Sequence, residues 1–525
     1  KGLGGFHLAC DASSDEAIRR LRDRKHRPDK PFAVMAPDLD LASELGVVDA
    51  SAGLLLESPA RPIVLVEQRS GNGLSALVAP GNPMVGLFLP YTPIHHVLLD
   101  AFGWPLVMTS ANASGAPIIH RAEDEHRLVD FADQVLTHDR PIHVPCDDSV
   151  VRAVGDRLLP VRRARGYAPV PIPLELGVPV LATGAELKNT VCVASADHAW
   201  VSQHVGDMEN LETLDAFERT VEQFTMMYDV TPEVVAADAH PGYLSGKWAR
   251  DNHPSRLVEV QHHHAHVAGL MAEHGLDPNT RILGFAFDGT GYGDDGAIWG
   301  GEVLEADAVG YERVGHLASV PLPGGDAAVR HPSRIALAHL WAAGIPWADD
   351  LPSVRANTEA ELGLLARQLE TGFGTVPTTS MGRLFDAVAS LLGLRHQISY
   401  EAQAAIDLEI AATKGHALAA VPFAEVEGVL DPAPFLGWLV GARRDGASVE
   451  DLARTFHEEI ARAVEVTAVG RGAEVVGLTG GVFQNALLTE LCVDRLERSG
   501  VEVLTHRLVP PNDGGLALGQ AFVAA

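Results

Sequence analysis

Residues 281–293 read RILGFAFDGTGYG, an apolar run that ends in an aspartate and a glycine-rich turn. A short apolar run that glycines terminate predicts a buried strand over 281–287, with Asp288 at its end. A second strand is predicted at 297–303. This strand–turn–strand unit places a carboxylate where its side chain can face a cleft.

The same kind of unit occurs earlier in the chain. Strands are predicted at 178–183 and 190–194, and the polar turn between them carries Lys188 and Asn189. Two such units at the heads of two α/β halves predict a duplicated fold that holds a nucleotide between the halves. Two unrelated hairpins are the alternative.

A third glycine turn lies near the end of the chain, where residues 478–485 read LTGGVFQN. It follows a predicted strand at 474–477 and opens a predicted helix that runs to about residue 498. Gly480 and Gly481 would let backbone N–H groups approach a phosphate, and the positive end of the helix dipole adds attraction. Tight packing also explains paired glycines.

Four histidines in five positions form the sharpest local feature of the sequence. The stretch 261–266, QHHHAH, follows a predicted strand at 257–260 and begins a helix. His262 and His266 are spaced i and i+4, so their imidazoles share one helix face and can share one metal ion. A zinc protease is disfavoured because His263 occupies the position of the glutamate base that H-E-x-x-H requires.

A catalytic metal needs further ligands and an open position. Asp288 is one candidate, and Asp513 in the turn 511–515, PNDGG, is another. Aspartate is also common in turns and helix caps, which is the alternative for both residues.

Composition limits the classes of function. The 525 residues predict two to four domains, and no apolar stretch approaches the 18 residues or so of a membrane span. The four cysteines are dispersed without a C-x-x-C pair, which fits a reducing cytoplasm. The net charge of −29 argues against nucleic-acid binding, so an anionic ligand must meet local positive charge.

A proline-rich seam at 168–173 follows a basic run at 162–165 and favours an extended spacer. We therefore predict an α/β or α+β domain over 1–168, a linker over 169–178 and a second domain over 179–525. The chain opens without an initiator Met or a signal peptide, so we expect further residues upstream. In the first domain we predict buried strands at 62–66 and 106–109 and helices at 15–24 and 95–101.

Cations and small polar side chains recur in loops of the first domain. Lys25, Arg27 and Lys30 cluster in one loop, and Ser110 and Asn112 follow a predicted strand. Further groups of this kind are Ser149 and the run 162–166, which includes Arg165. Such groups at strand ends suit a phosphate or an adenylate. Each stretch alone would more often be a solvated loop.

Several of these residues belong to stretches that resemble known families. The first domain resembles the YrdC/Sua5 family, which makes acyl-type adenylates from ATP, through the stretches 6–12, 25–28, 110–115, 149–151 and 165–166. The second resembles transferases related to the universal tRNA threonylcarbamoyladenosine enzyme, with their duplicated actin- and hexokinase-like fold, through His262, His266, 382–389, 480–485 and Asp513. With the stretches 1–7, 89–96, 184–189 and 322–328, the whole chain resembles the HypF family of carbamoyltransferases.

This resemblance implies the roles of the residues. ATP, with Mg²⁺, and the carbamoyl-adenylate would be held in the first domain by Lys25, Arg27, Ser110, Asn112, Ser149 and Arg165. The nucleotide of the second domain would be held by Lys188, Asp386, Gly480, Gly481 and Asn485. A divalent metal, iron or zinc, would be bound by His262, His266, Asp288 and Asp513, of which His262, His266 and Asp513 would be catalytic.

It also implies the substrates and the partner. Carbamate, released from carbamoyl phosphate by an upstream acylphosphatase domain, would react with ATP. The carbamoyl group would then pass to the C-terminal cysteine thiolate of a HypE-type protein, in cyanide-ligand synthesis for nickel–iron hydrogenases. No nucleic acid or membrane would take part, and the enzyme would be cytoplasmic.

Three positions depart from the family pattern. Ala402 replaces a glycine, Pro145 stands where an arginine is expected, and Ser333 occupies an aromatic position. The alternatives are a small-molecule O-carbamoyltransferase, a threonylcarbamoyl-type enzyme and a nucleotide-binding scaffold.

Overall fold

The computed structural model describes residues 1–113, 115–155 and 157–525. Ser114, which belongs to the predicted stretch 110–115, lies outside the described residues. Contacts divide the chain into two compact units. The first unit comprises Lys1–Val258 and His506–Ala525, and the second comprises Glu259–Thr505. Among the described residues, we find no helix that combines the length and the apolar character needed to cross a bilayer.

The first part of the first unit is a mixed sheet with helices. Its strands run in the order β1-β5-β2-β4-β3-β6-β7. They are β1 His7–Asp11, β2 Ala33–Met35, β3 Ile63–Glu67, β4 Met84–Phe88, β5 Leu106–Ser110, β6 Val150–Val154 and β7 Arg157–Arg162. The helices are α1 Asp15–Lys25, α2 Leu39–Leu45, α3 Ala50–Glu57 and α4 Pro93–Phe102. All four elements that we predicted here are confirmed to within a few residues.

Local chemistry explains where α1 begins and ends. The Ser14 hydroxyl accepts a hydrogen bond from the Ala17 N–H, which caps the helix at its N-terminus. Ile18 and Leu21 are buried on its inner face. The helix ends at His26, which adopts the left-handed conformation, and this stop leaves Lys25 in the last turn.

A second sheet completes the first unit. Its strands are β8 Ile172–Pro173, β9 Val180–Ala182, β10 Cys192–Ser195, β11 His198–Val201, β12 Val234–Asp238 and β13 Leu257–Val260. Its helices are α5 Leu211–Met227 and α6 Leu244–Asn252, and the C-terminal helix Leu516–Ala524 packs on β9 and β12. Because β8 pairs with β11, the segment that we predicted to be a linker contributes a strand to this sheet.

The second unit is built on a larger sheet. Its strands are β14 Ile282–Tyr292, β15 Ile298–Ala306, β16 Tyr311–Leu317, β17 Val320–Pro323, β18 Thr375–Thr378, β19 Ala424–Val426, β20 Val429–Asp431, β21 Val475–Thr479 and β22 Glu502–Thr505. Its helices are α7 His262–Glu273, α8 Asp326–Val329, α9 Pro332–Ala342, α10 Pro352–Arg355, α11 Glu359–Thr371, α12 Met381–Leu391, α13 Gln403–Ala412, α14 Ala433–Arg444, α15 Val449–Gly470 and α16 Ala486–Arg498.

The strand orders confirm the predicted duplication. One sheet contains β13-β12-β9-β10-β11, and the other contains β22-β21-β14-β15-β16. In each, a three-stranded antiparallel meander is followed by a strand that pairs in parallel with the first strand of the meander. The fold is therefore the predicted combination of a YrdC-like sheet domain and a duplicated actin- and hexokinase-like domain.

Two predicted boundaries in the second unit are wrong. The strand β14 does not end at Asp288 but continues to Tyr292, because a register shift after Phe287 lets pairing resume at Gly291. The helix after the paired glycines begins only at Ala486, since a short 3-10 turn, Gly481–Gln484, precedes it.

Candidate metal and nucleotide sites

Two histidines and an aspartate of the second unit converge on one point. His262 and His266 lie on the first turns of α7, and Asp288 projects from β14. The Oδ2 atom of Asp288 lies 3.5 Å from the Nε2 of His262 and 3.3 Å from the Nε2 of His266. Both histidines and the aspartate are buried. One ligand atom from each of the three lies within 4.8 Å of the others, which suits a divalent ion.

The backbone holds Asp288 in this position. Its Oδ1 atom accepts hydrogen bonds from the N–H groups of Gly289, at 2.7 Å, and Gly481, at 3.2 Å. Burial alone would raise the pKa of Asp288, but hydrogen bonds from His262 and His266 outweigh it and hold the pKa well below its usual range. The carboxylate is therefore ionised at neutral pH, the form that binds a metal.

Asp513, the fourth predicted metal ligand, lies in the first unit. It begins the 3-10 turn Asp513–Gly515, in which the side chain of Asn512 accepts a hydrogen bond from the Gly514 N–H. The Asp513 side chain is buried. Its part in a metal site stays a prediction.

The paired glycines of the second unit form a tight turn. Gly480 has φ 91°, and a side chain there would place its Cβ only 2.3 Å from the Phe287 carbonyl oxygen, so only glycine fits. Asn485 caps α16, since its Oδ1 accepts from the Leu488 N–H. Its Nδ2 donates to the Nε2 of the buried His457, at 2.9 Å, so both ends of the Asn485 amide have protein partners.

Asp386 lies buried on α12, three residues after an arginine that sequence analysis missed. The Nη1 atom of Arg383 lies 3.1 Å from the Oδ2 of Asp386. Burial raises the pKa of Asp386 to about 6, although the Arg383 charge opposes the shift. The i, i+3 spacing of the arginine and the aspartate was the available signal.

Lys188, predicted to bind the nucleotide of the second domain, lies in the first unit after β9. It has the left-handed φ of 48°, and its N–H donates to the Oδ1 of Asp207 at 2.8 Å. This turn is therefore held by its backbone. The role of the Lys188 side chain stays a prediction.

The first unit brings three predicted residues together at the end of α1. The ammonium of Lys25 donates to the carbonyl oxygens of Ser110, at 2.7 Å, and Asn112, at 2.9 Å, and to Asn112 Oδ1, at 2.9 Å. The Ser110 hydroxyl also donates to Asn112 Oδ1. Burial lowers the pKa of Lys25 to about 7, and the neighbouring Arg27 adds to the shift. This lysine can therefore change its charge when an anion binds.

Arg165 and Ser149 form a separate group in the same unit. The Ser149 hydroxyl donates to the Arg165 carbonyl oxygen, at 2.9 Å. The Arg165 guanidinium donates to Asp148 and to the carbonyl oxygens of Ala60 and Arg61, each at 2.8 Å, and it lies 3.4 Å from the centre of the Tyr91 ring. The sequence alone did not indicate that Asp148 would fix this arginine.

Arg27 is also engaged by its own loop. Its guanidinium donates to the carbonyl oxygens of Lys30 and Pro31, and it stacks on Phe32 with 4.9 Å to the ring centre. The loop that carries Arg27 is thus held by contacts of its own side chain.

Family models match most of the chain. Residues 1–164 match the Sua5, YciO and YrdC family, described under telomere recombination. Residues 175–273 match the HypF Kae1-like domain, and residues 284–520 match the second subdomain of the carbamoyltransferase Kae1-like domain.

Curated relatives and solved structures agree with these matches. The carbamoyltransferase HypF of Synechocystis sp. is 40% identical, over 99% of this chain and 70% of its own length. HypF2 of Cupriavidus necator is 41% identical, over 100% of this chain and 71% of its own length. A full-length HypF crystallised in a phosphate- and nucleotide-bound form is 38% identical, with a TM-score of 0.94 over 100% of this chain and 70% of its own. HypF of T. kodakarensis is 33% identical, with a TM-score of 0.92 over 99% of this chain and 71% of its own.

Proposed function

Since the chain belongs to the HypF family of carbamoyltransferases, we propose that it activates carbamate with ATP and transfers the carbamoyl group to a protein thiolate. The observation that carries this proposal is the buried cluster of His262, His266 and Asp288. The Lys25 cluster of the YrdC-like domain supplies a second, chemically different site.

The first half-reaction forms carbamoyl-adenylate. Carbamate, derived from carbamoyl phosphate, attacks the α-phosphorus of ATP through an oxygen, and pyrophosphate leaves. We assign Lys25, Arg27, Ser110, Asn112, Ser149 and Arg165 to this site. The Lys25 ammonium, which donates to Ser110 and Asn112, supplies a positive charge that suits the negative charge developing on phosphate oxygens. Ser149 and Arg165 position the loop through their mutual hydrogen bond.

The second half-reaction transfers the carbamoyl group. The thiolate of a C-terminal cysteine on a HypE-type acceptor attacks the carbonyl carbon of carbamoyl-adenylate, and AMP leaves. Lys188, Asp386, Gly480, Gly481 and Asn485 hold the nucleotide in this proposal. The glycines at 480 and 481 leave room for a phosphate to approach the backbone of this turn.

The residues present fit a divalent metal. His262, His266 and Asp288 provide two nitrogens and an oxygen around one point, and Asp513 would be the fourth ligand. Imidazole and carboxylate ligands suit iron and zinc alike. When bound, such an ion supplies a Lewis acid that polarises an acyl or phosphate oxygen.

Separate assays of the two half-reactions test this function. Wild-type protein should exchange labelled pyrophosphate into ATP only when carbamate is supplied, and it should add one carbamoyl group to a HypE-type acceptor, which mass spectrometry detects. His262→Ala should lower carbamoyl transfer by about 100-fold or more while pyrophosphate exchange persists.

His264→Ala is the matched control. His264 lies on the same helix, but its Nε2 bonds to the Asp307 carbonyl oxygen at 2.7 Å, outside the cluster. It should keep both half-reactions. Exchange that needs no carbamate, or transfer that survives His262→Ala, would contradict the proposal. Carbamoylation of a small alcohol instead of the protein thiol would favour an O-carbamoyltransferase.

A further inference from the structure

The N-terminus of α12 packs directly on the residues that follow Asp288 in the second unit. The hydroxyl of Ser380, the N-cap of this helix, lies 2.8 Å from the carbonyl oxygens of both Asp288 and Gly289. A Cβ on Gly382 would lie only 2.8 Å from the Gly289 Cα, so no larger residue fits between them. This contact fixes the first turn of α12 against the metal-site strand β14.

Arg383 projects from that first turn toward the same glycine. A Cβ on Gly289 would lie 3.2 Å from the Nη2 atom of Arg383. The residue is only 7% exposed. Its guanidinium is therefore a buried positive charge beside Gly289, whose N–H, like that of Gly481, donates to Asp288.

Part of the hydrogen-bonding capacity of this guanidinium is unused within the described chain. Among the described residues, Nε and Nη1 of Arg383 have no hydrogen-bond partner. Asp386 lies 3.1 Å from Nη1 but without the alignment of a hydrogen bond, and its Oδ2 also lacks a hydrogen-bond partner within that part of the chain. Buried donors without acceptors are rare in folded proteins, so this site lacks a group that accepts hydrogen bonds.

We propose that Arg383 binds a phosphate group of the nucleotide in the second unit. A guanidinium presents its N–H groups as a planar fork, which matches two oxygens of a phosphate. The position next to Gly289 and the Gly480–Gly481 turn places that fork where the proposed nucleotide carries its phosphates. This inference rests on the proposed nucleotide site and adds to it a residue that contacts the anion.

A purely structural role makes a different prediction. If Arg383 only neutralised Asp386, its loss would lower the stability of the folded protein and weaken the binding of every ligand of the site to the same extent. If Arg383 contacts a phosphate, its loss weakens the binding of ATP and leaves the binding of adenosine unchanged.

Ligand-induced thermal stabilisation separates the two roles. Titrations with ATP and with adenosine up to millimolar concentrations would be made in a Lys25→Met background, which removes the proposed first site. Arg383→Met should weaken ATP binding by roughly 10- to 100-fold and leave adenosine binding within about twofold. Arg383→Lys keeps the charge but loses the planar fork, so it should weaken ATP binding less than Arg383→Met does. Arg395→Met is the control, because Arg395 also pairs with a carboxylate, Asp407, at 2.7 Å.

The outcomes are distinguishable. Unchanged ATP binding in Arg383→Met, or equal weakening of ATP and adenosine, would overturn the phosphate contact. Should the methionine variant fail to fold, the same comparison in Arg383→Lys decides. Absence of all nucleotide binding in the Lys25→Met parent would overturn the second nucleotide site itself, whatever Arg383 does.

Discussion

At the scale of single residues, burial changes the protonation of Lys25, the lysine that we propose binds an anionic ligand. Its ammonium is enclosed by α1 and the loop after β5, and burial lowers its pKa to about 7 from an ordinary value of 10.5. The unfolded chain binds this proton more tightly than the folded chain between these two values. The contribution of Lys25 therefore makes the folded state more stable as pH rises from about 7 to 10.5.

Nucleotide binding should reverse that shift, because phosphate oxygens favour the charged ammonium. At pH 8 we expect ATP to bind with uptake of up to about one proton per first-unit site. Calorimetric titrations in two buffers of different ionisation enthalpy measure this number. Lys25→Met should abolish the uptake, and Lys30→Met, on the exposed side of the same loop, should keep it. Identical enthalpies in both buffers for the wild type would argue against this role.

At the scale of elements, α13 begins under strain. Its N-cap, Ala402, has φ 59°, in the left-handed region, and makes no side-chain capping bond. This is the position at which the family pattern has glycine. A Cβ in the left-handed region costs roughly 1–2 kcal/mol, and glycine avoids that cost.

Ala402→Gly should therefore stabilise α13 by about 0.5–1 kcal/mol, after the larger unfolded-state entropy of glycine is subtracted. Hydrogen exchange of the amides in α13 measures the local gain. Ala366→Gly, inside α11, should instead lower the stability of its helix by about 1 kcal/mol. If both substitutions changed the stability of their helices in the same direction, the result would contradict backbone strain at Ala402.

At the scale of the whole molecule, the proposed function joins two half-reactions in one chain through carbamoyl-adenylate. Carbamoyl-adenylate is a mixed anhydride, and exclusion of water protects such intermediates. A chain that carries out both half-reactions gains from passing the adenylate internally. We therefore expect the intermediate to stay with the molecule that formed it.

Mixing two defective variants tests this expectation. Lys25→Met should lack adenylate formation, and His262→Ala should lack transfer. An equimolar mixture should show no more carbamoyl transfer to the acceptor than the two variants measured apart. Transfer restored to about half the wild-type rate would mean that the adenylate diffuses freely between molecules.

Short-range patterns were enough to predict much of this protein from its sequence. The i, i+4 spacing of His262 and His266 placed both imidazoles on one face of α7, because helix geometry alone decides which neighbours share a face. Apolar runs that glycines end predicted the strands β9, β14 and β21, and the two strand–turn–strand units predicted the duplication that the strand orders confirm. The quoted motifs were also sufficient to recognise the family, since they depend on residue identity.

Tertiary structure alone decided which distant groups meet. Asp288 lies in the irregular stretch where β14 pairs with its hairpin neighbour β15, and its carboxylate meets the two histidines of α7, more than twenty residues earlier in the chain. Asp148 and Tyr91 hold Arg165 although they lie far from it in sequence, and Arg383 meets Gly289 only because α12 packs on β14. Such contacts join residues that lie far apart in the sequence, so local propensity and residue spacing cannot predict them. They form when the hydrophobic core brings the elements together.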